Sequence, residues 1–330
     1  MAHNLNYNPK TDKHSFFSVK EKAWHSLGTI VEQYPTSSEA IQFAGLDYLV
    51  EKRPLFTYDT ANFSSDPETD ILLPQIKIPD VFATVRTDTD EALGVVGKDY
   101  HVVQNVDAFS FFDSIVGGGE GILYETAGAL GRGERIFITA KLPDYIKVGR
   151  NDLIEQYLFL TTSHNGSGSI TAAFTPVRIV CQNTLNAAMR SQANGIKIKH
   201  TANAHDRLKQ AHQLMGISHQ LGNEMQEIFN QWTKIRISDK QVKKLVQLAM
   251  APNLEIYDAI RMGKELETST LYNNTIDKVL EYAGTSPSQQ METTKGNLFG
   301  AYNSVTGYFQ NVREFKTDES KLIPLWEGVQ

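Results

Sequence analysis

Residues 133–142 read GERIFITAKL, and their side chains alternate with a period of two: Ile136, Ile138, Ala140 and Leu142 on one side, Arg135, Phe137, Thr139 and Lys141 on the other. A core-facing side opposite a polar one is the pattern of a strand in an antiparallel sheet. The polar side mixes two cations with an aromatic ring, as a surface that neutralises phosphates and stacks bases would need. A solvated sheet face carrying an incidental Phe fits the same text.

Outward from this strand, residues 121–126, 156–163 and 169–174 read as further strands. The last two are separated by HNGSGS, a hairpin signal because Asn and Gly tolerate positive φ. Upstream, residues 46–56, 81–86 and 92–96 carry β patterning, with the polar stretch TANFSSDPETD (60–70) as an insertion between the first two. Thr36 and Glu39 form a capping-box signature that starts a helix ending at Ala44, before Gly45. Asn105 opens a second short helix, which Gly117-Gly118-Gly119 ends.

Thr175-Pro176 supplies an N-cap and a first-turn proline for a helix crossing the sheet. Val177, Val180, Cys181, Leu185 and Ala188 would face the sheet, and Arg178, Gln182, Asn186 and Arg190 recur at four-residue steps on another side. Residues 195–201, GIKIKHT, read as an extended segment with Lys197 and Lys199 on one side, followed by His200. Helical patterns then cover 204–235, 238–250, 254–267, 270–283 and 294–313. The expected fold is therefore α+β: a curved antiparallel sheet crossed by a helix, within a core domain of residues 1–203, followed by a helical region of residues 204–330.

The chain has 330 residues, and 32 Lys+Arg against 38 Asp+Glu leave a net charge of −6. Such a balance excludes indiscriminate coating of DNA, since that needs many cationic contacts. Yet from Gln156 to His205 there is no Asp or Glu, while Arg178, Arg190, Lys197 and Lys199 lie within it. An anion can approach such a stretch without repulsion. The alternative is that these residues are simply the protein's central, buried sheet and helix, which exclude charge of either sign. No apolar run reaches the ~18–20 residues of a membrane span, and the expected location is the cytoplasm of a bacterial host cell. One cysteine excludes an internal disulfide and a Cys-based zinc cluster.

Neither a G-x-x-x-x-G-K-[ST] loop nor a dinucleotide fingerprint occurs, so no nucleotide cofactor is expected. His200, His205 and His212 lack the spacing of a helical ligand pair, and no metal is expected. Cys181 with His164 would be a thiol nucleophile and base, but the thiol sits on an apolar stripe and reads as buried and inert.

The segments Trp24-His25-Ser26-Leu27-Gly28, Arg86-Thr87-Asp88, Leu93-Gly94-Val95-Val96-Gly97, Tyr124-Glu125-Thr126-Ala127-Gly128, 175–186 (TPVRIVCQNTLN), Lys199-His200-Thr201 and 297–308 (NLFGAYNSVTGY) together resemble the phage/plasmid-like protein family that contains domain of unknown function 932. Lys199 stands where that family tends to have Arg, which keeps the charge and loses the guanidinium fork. The resemblance implies a mobile-element protein. Such elements often carry single-strand annealing proteins that assemble as rings or filaments.

Three expectations follow. The first is an ATP-independent, homo-oligomeric protein that binds and anneals single-stranded DNA. In it Arg135, Lys141, Arg178, Gln182, Asn186, Arg190, Lys197, Lys199 and His200 would contact nucleic acid, and Phe137 and Tyr157 would stack on bases. The second is a structural or protein-interaction component, in a virion or as an inhibitor of host defence. An enzyme acting on nucleic acid through Cys181 or the histidines is the third.

Overall fold

The computed structural model describes residues 4–23, 25–59, 75–116, 121–167, 170–176, 179, 185, 189, 196–198, 204–264 and 267–312. The elements begin with β1 (Tyr7–Asn8), β2 (Lys13–His14), β3 (Phe16–Val19), β4 (Thr29–Val31), α1 (Ser37–Phe43), β5 (Val50–Tyr58), β6 (Gln75–Arg86), β7 (Ala92–Gly97) and α2 (Asn105–Val116). Next come β8 (Leu123–Leu130), β9 (Arg135–Val148), β10 (Asp152–Ser163), β11 (Ile170–Thr175) and β12 (Ile196–Ile198). The helices α3 (Ala204–Lys234), α4 (Asp239–Ala249), α5 (Leu254–Met262), α6 (Thr270–Thr285) and α7 (Leu298–Asn311) follow.

The class is α+β. A seven-stranded sheet runs in the order β12-β11-β10-β9-β8-β3-β4, antiparallel except for the β3–β4 pair. β5, β6 and β7 form a separate antiparallel sheet, and β1 pairs with β2. The hairpin signal after His164 joins β10 to β11, with Gly166 at φ +76°. Thr36 caps α1 as its sequence requires: its backbone N–H donates to Glu39 Oε2 at 2.9 Å. Two bulges interrupt the central pairings, one at Tyr124/Thr126 beside β9 and one at Glu155/Tyr157 on its other side.

Both faces of the large sheet are covered. Ile136, Ile138, Ala140 and Leu142 join Phe109 and Phe112 of α2, Leu214 and Phe229 of α3 and Phe299 of α7 in one buried cluster. The opposite face was expected to be polar. It instead buries Phe137 and Phe159 under Leu5, Phe16, Ile179 and Leu185. A third cluster, with Val246, Ala249, Tyr272, Ile276, Val279 and Val305, knits α4, α6 and α7 together.

Some sequence expectations shift. β6 starts at Gln75 rather than at residue 81. α5 stops at Met262 because Gly263 turns into the left-handed region at φ 72°, before the expected residue 267. α7 starts at Leu298, where Asn297 Oδ1 accepts from the Gly300 N–H at 2.9 Å, rather than at Thr294. β3 and β4, which extend the sheet beyond β8, carry no periodic signal of their own. The 60–70 insertion lies outside the described residues. Among those residues, no helix is long and apolar enough to cross a membrane.

Candidate nucleic-acid interface

Register places the described candidate residues on one face of the large sheet. Phe137 pairs with Thr161, Thr161 with Thr171, and Thr171 with Lys197, so these four form a row across β9, β10, β11 and the edge strand β12. Arg135 and Lys141 lie two and four residues from Phe137 on the same strand and share its side. Tyr157 pairs with Lys141 and completes the group. This is also the face on which Ile179 and Leu185 pack, and Thr126 Oγ1 donates to the Ile179 carbonyl at 2.6 Å. Lys197 is exposed and Arg135 half-buried; neither forms an ion pair with a described residue.

Three of the expected contacts are corrected. Phe137 is 0% exposed and packs against Phe16 at a centroid separation of 6.3 Å, so no base can reach its ring. Tyr157 is 2% exposed and donates its hydroxyl to Glu155, so it is no stacking platform either. Lys141 forms an ion pair with Glu155 and is already neutralised. Desolvation works against its charge, but the Glu155 hydrogen bond and charge outweigh that and raise its pKa. The missing carboxylates between Gln156 and Thr175 have the bland cause: Gln156 to His164 and Ile170 to Thr175 are buried. Arg178, Gln182, Asn186, Arg190, Lys199 and His200 lie outside the described residues, as does Cys181.

Below the face lies a cluster that sequence spacing did not reveal. Glu125 is the extra residue of the β8 bulge and acts on Tyr34, while Glu155, beside the register shift between β9 and β10, forms the ion pair with Lys141. Tyr34 belongs to the same group. Desolvation, then the negative charge of Glu125, raise its pKa, and Lys141 works in the opposite direction. Lys20 sits 5.0 Å from the Tyr34 ring centroid.

A second buried polar cluster explains the Arg86-Thr87-Asp88 segment. Arg86 is 0% exposed. It donates Nε and Nη2 to the two Asp88 oxygens at 2.9 and 2.7 Å, and Nη1 to Asn6 Oδ1 at 2.8 Å and the Arg132 carbonyl at 2.9 Å. Tyr48 hydrogen-bonds the Gly133 carbonyl at 2.8 Å, and burial pushes its phenol up to about 12. Gly133 has φ +100°, and a Cβ there would stand 2.5 Å from Arg86 Nη1, so only glycine fits. His164 is 1% exposed and hydrogen-bonds Asn105 Oδ1 at 2.9 Å. Desolvation, helped by the Arg86 charge, lowers its pKa to about 4, so it is neutral near pH 7. Committed to a structural amide, His164 is a poor base for a thiol.

Segment 297–308 lies largely in α7 and helps to form a cleft. Phe299, Asn303, Thr306 and Gly307 line an open cleft of about 230 Å³ with Asp152, whose Oδ2 accepts from Thr293 Oγ1 at 2.9 Å. Among the described residues, no group of three or more His, Cys, Asp or Glu is placed to hold a metal ion.

No curated protein and no solved structure matches the chain. A family model does, over residues 92–326, which include β8 to β12 and the described helices α3 to α7. The chain belongs to that family, the one described as a domain of unknown function (DUF932).

Proposed function

We propose that the chain is an ATP-independent single-stranded DNA-binding and annealing protein of a phage or plasmid. It works as a homo-oligomer in the host cytoplasm and needs no catalytic group. The observation supporting this reading is the shared face: Arg135 and Lys197 lie on the side of the sheet where Ile179 and Leu185 anchor the acid-free segment. Arg178 and Arg190 belong to that segment by sequence, and Lys199 and His200 follow it. In this reading the cations take the phosphates, and Gln182, Asn186 and His200 meet base edges. Neutralised backbones then allow two strands to approach and pair. Phe137, Tyr157 and Lys141 have no part in it.

Fluorescence anisotropy with a single-stranded oligonucleotide tests the reading. Binding is expected to weaken steeply with salt, with a log–log slope of about −0.7 per neutralised phosphate. Absence of binding at low salt overturns it. Electron microscopy with a ~40-nucleotide strand, long enough for several binding modules, is expected to show rings or filaments.

A second reading, a protein-interaction role, is favoured by the outer part of the β5–β6 ribbon. Phe56, Tyr58 and Ile76 are there 47%, 60% and 49% exposed, and Ile78 is 36% exposed. Affinity capture that retrieves a protein but no nucleic acid supports it.

A further inference from the structure

The strongest charge asymmetry among the described residues lies away from the sheet. Residues 234–244 hold Lys234, Arg236, Lys240, Lys243 and Lys244 against the single carboxylate of Asp239, in a chain whose net charge is −6. All five basic residues are exposed. Tertiary structure adds a sixth. Arg236 bridges to Asn297 and donates Nη1 to the Lys295 carbonyl at 2.8 Å. The Leu298 N–H donates to the Ile235 carbonyl at 2.9 Å, so the α3–α4 connection is stitched to the start of α7. Lys295 is exposed as well, with Glu292 the nearby acid in sequence.

The arrangement on α4 is ordered. Lys240, Lys243 and Lys244 stand at i, i+3 and i+4 and share one exposed face, whereas Val246, Ala249 and Met250 of the same segment pack into a buried cluster. None of the six cations forms an ion pair with a described residue. Several like charges held together cost self-repulsion, which an anionic ligand would relieve. α4 and α7 both begin here, and the positive ends of their dipoles add to the field.

We infer that Lys234, Arg236, Lys240, Lys243, Lys244 and Lys295 form a second binding surface, which takes the sugar-phosphate backbone of a nucleic acid. Lysine-rich and without buried polar groups, it reads charge rather than sequence. The inference rests on nucleic acid being the ligand, but not on the sheet face being its site. A strand held there and on the sheet face would be fixed at two places on one subunit, which raises the effective concentration of each contact for the other.

The test uses the full chain and a fluorescein-labelled dT40 strand. The side chains of these lysines make no hydrogen bond with a described residue, so Lys240→Gln/Lys243→Gln/Lys244→Gln should melt with the wild type. It is expected to bind about tenfold or more weakly at 0.1 M salt, with a log–log slope shallower by about 2. An Arg135→Gln/Lys197→Gln variant runs in parallel. If only the α4 variant loses binding, the second surface stands and the sheet-face reading falls. Wild-type affinity and slope in the α4 variant overturn the inference, whatever the sheet variant does. Failure of the wild type to bind overturns both.

Discussion

The guanidinium of Arg86 stacks on the ring of Tyr48, 3.9 Å from its centroid, and both side chains are removed from solvent. Arg86 ends β6 and Tyr48 precedes β5, so the pair clamps the small sheet onto the turn that leads into β9. A charge this deep is tolerable only because Asp88, Asn6 and the Arg132 carbonyl meet its donors and an aromatic face covers its plane.

Arg86→Lys is expected to destabilise the protein by ~3–5 kcal/mol, because an ammonium cannot reproduce the fork and leaves buried acceptors unmet. Urea unfolding at pH 7 measures it. A loss below about 1 kcal/mol would show that the cluster is replaceable.

His164 makes stability depend on pH. It is neutral in the fold down to about 4, whereas an unfolded histidine takes up a proton near 6.5. Between these values the unfolded chain binds more protons, so stability is full above about pH 6.5 and falls as the pH drops toward 4, by up to ~3 kcal/mol. His164→Gln should flatten the difference between unfolding curves at pH 7 and pH 5. An unaltered pH dependence in that variant assigns the effect to other groups.

Gly94 lies against the β10–β11 turn, and a Cβ there would come within 2.6 Å of Asn165 Cα. Gly94→Ala must push the turn away from β7, at a cost of ~1–3 kcal/mol. Thermal melting reads it, and an unshifted midpoint would mean that the turn yields freely.

Lys141, paired with Glu155, and Lys197, which forms no ion pair with a described residue, lie on the same sheet face. Lys141→Gln is expected to leave oligonucleotide affinity unchanged, since Glu155 already neutralises the ammonium, and to lower stability by stranding that carboxylate. Lys197→Gln should weaken binding and make the salt slope shallower by ~0.7. Equal effects of both on binding would mean that the Glu155 pair opens for the ligand.

What was legible from residue order rests on local forces. The period of two in residues 133–142, the positive φ of the Asn165-Gly166 turn and the Thr36–Glu39 cap each involve residues within a few positions of one another. They gave the strands, the hairpin, the helical third and the α+β class, and they put Ile136, Ile138 and Ala140 on a core. Which solvent exposure the other side of β9 would have was not written in that period. Phe137 is inaccessible because Phe16, Ile179 and Leu185 come from either end of the sheet to cover it. Lys141 lost its free charge to a carboxylate across the strand pair, and Arg86 found Tyr48 at a separation of 38 residues. The basic surface on α4 gains Lys295 through contacts spanning 59 residues. Such pairings follow from burial and long-range hydrogen bonding in the packed chain, for which alternation and capping carry no information.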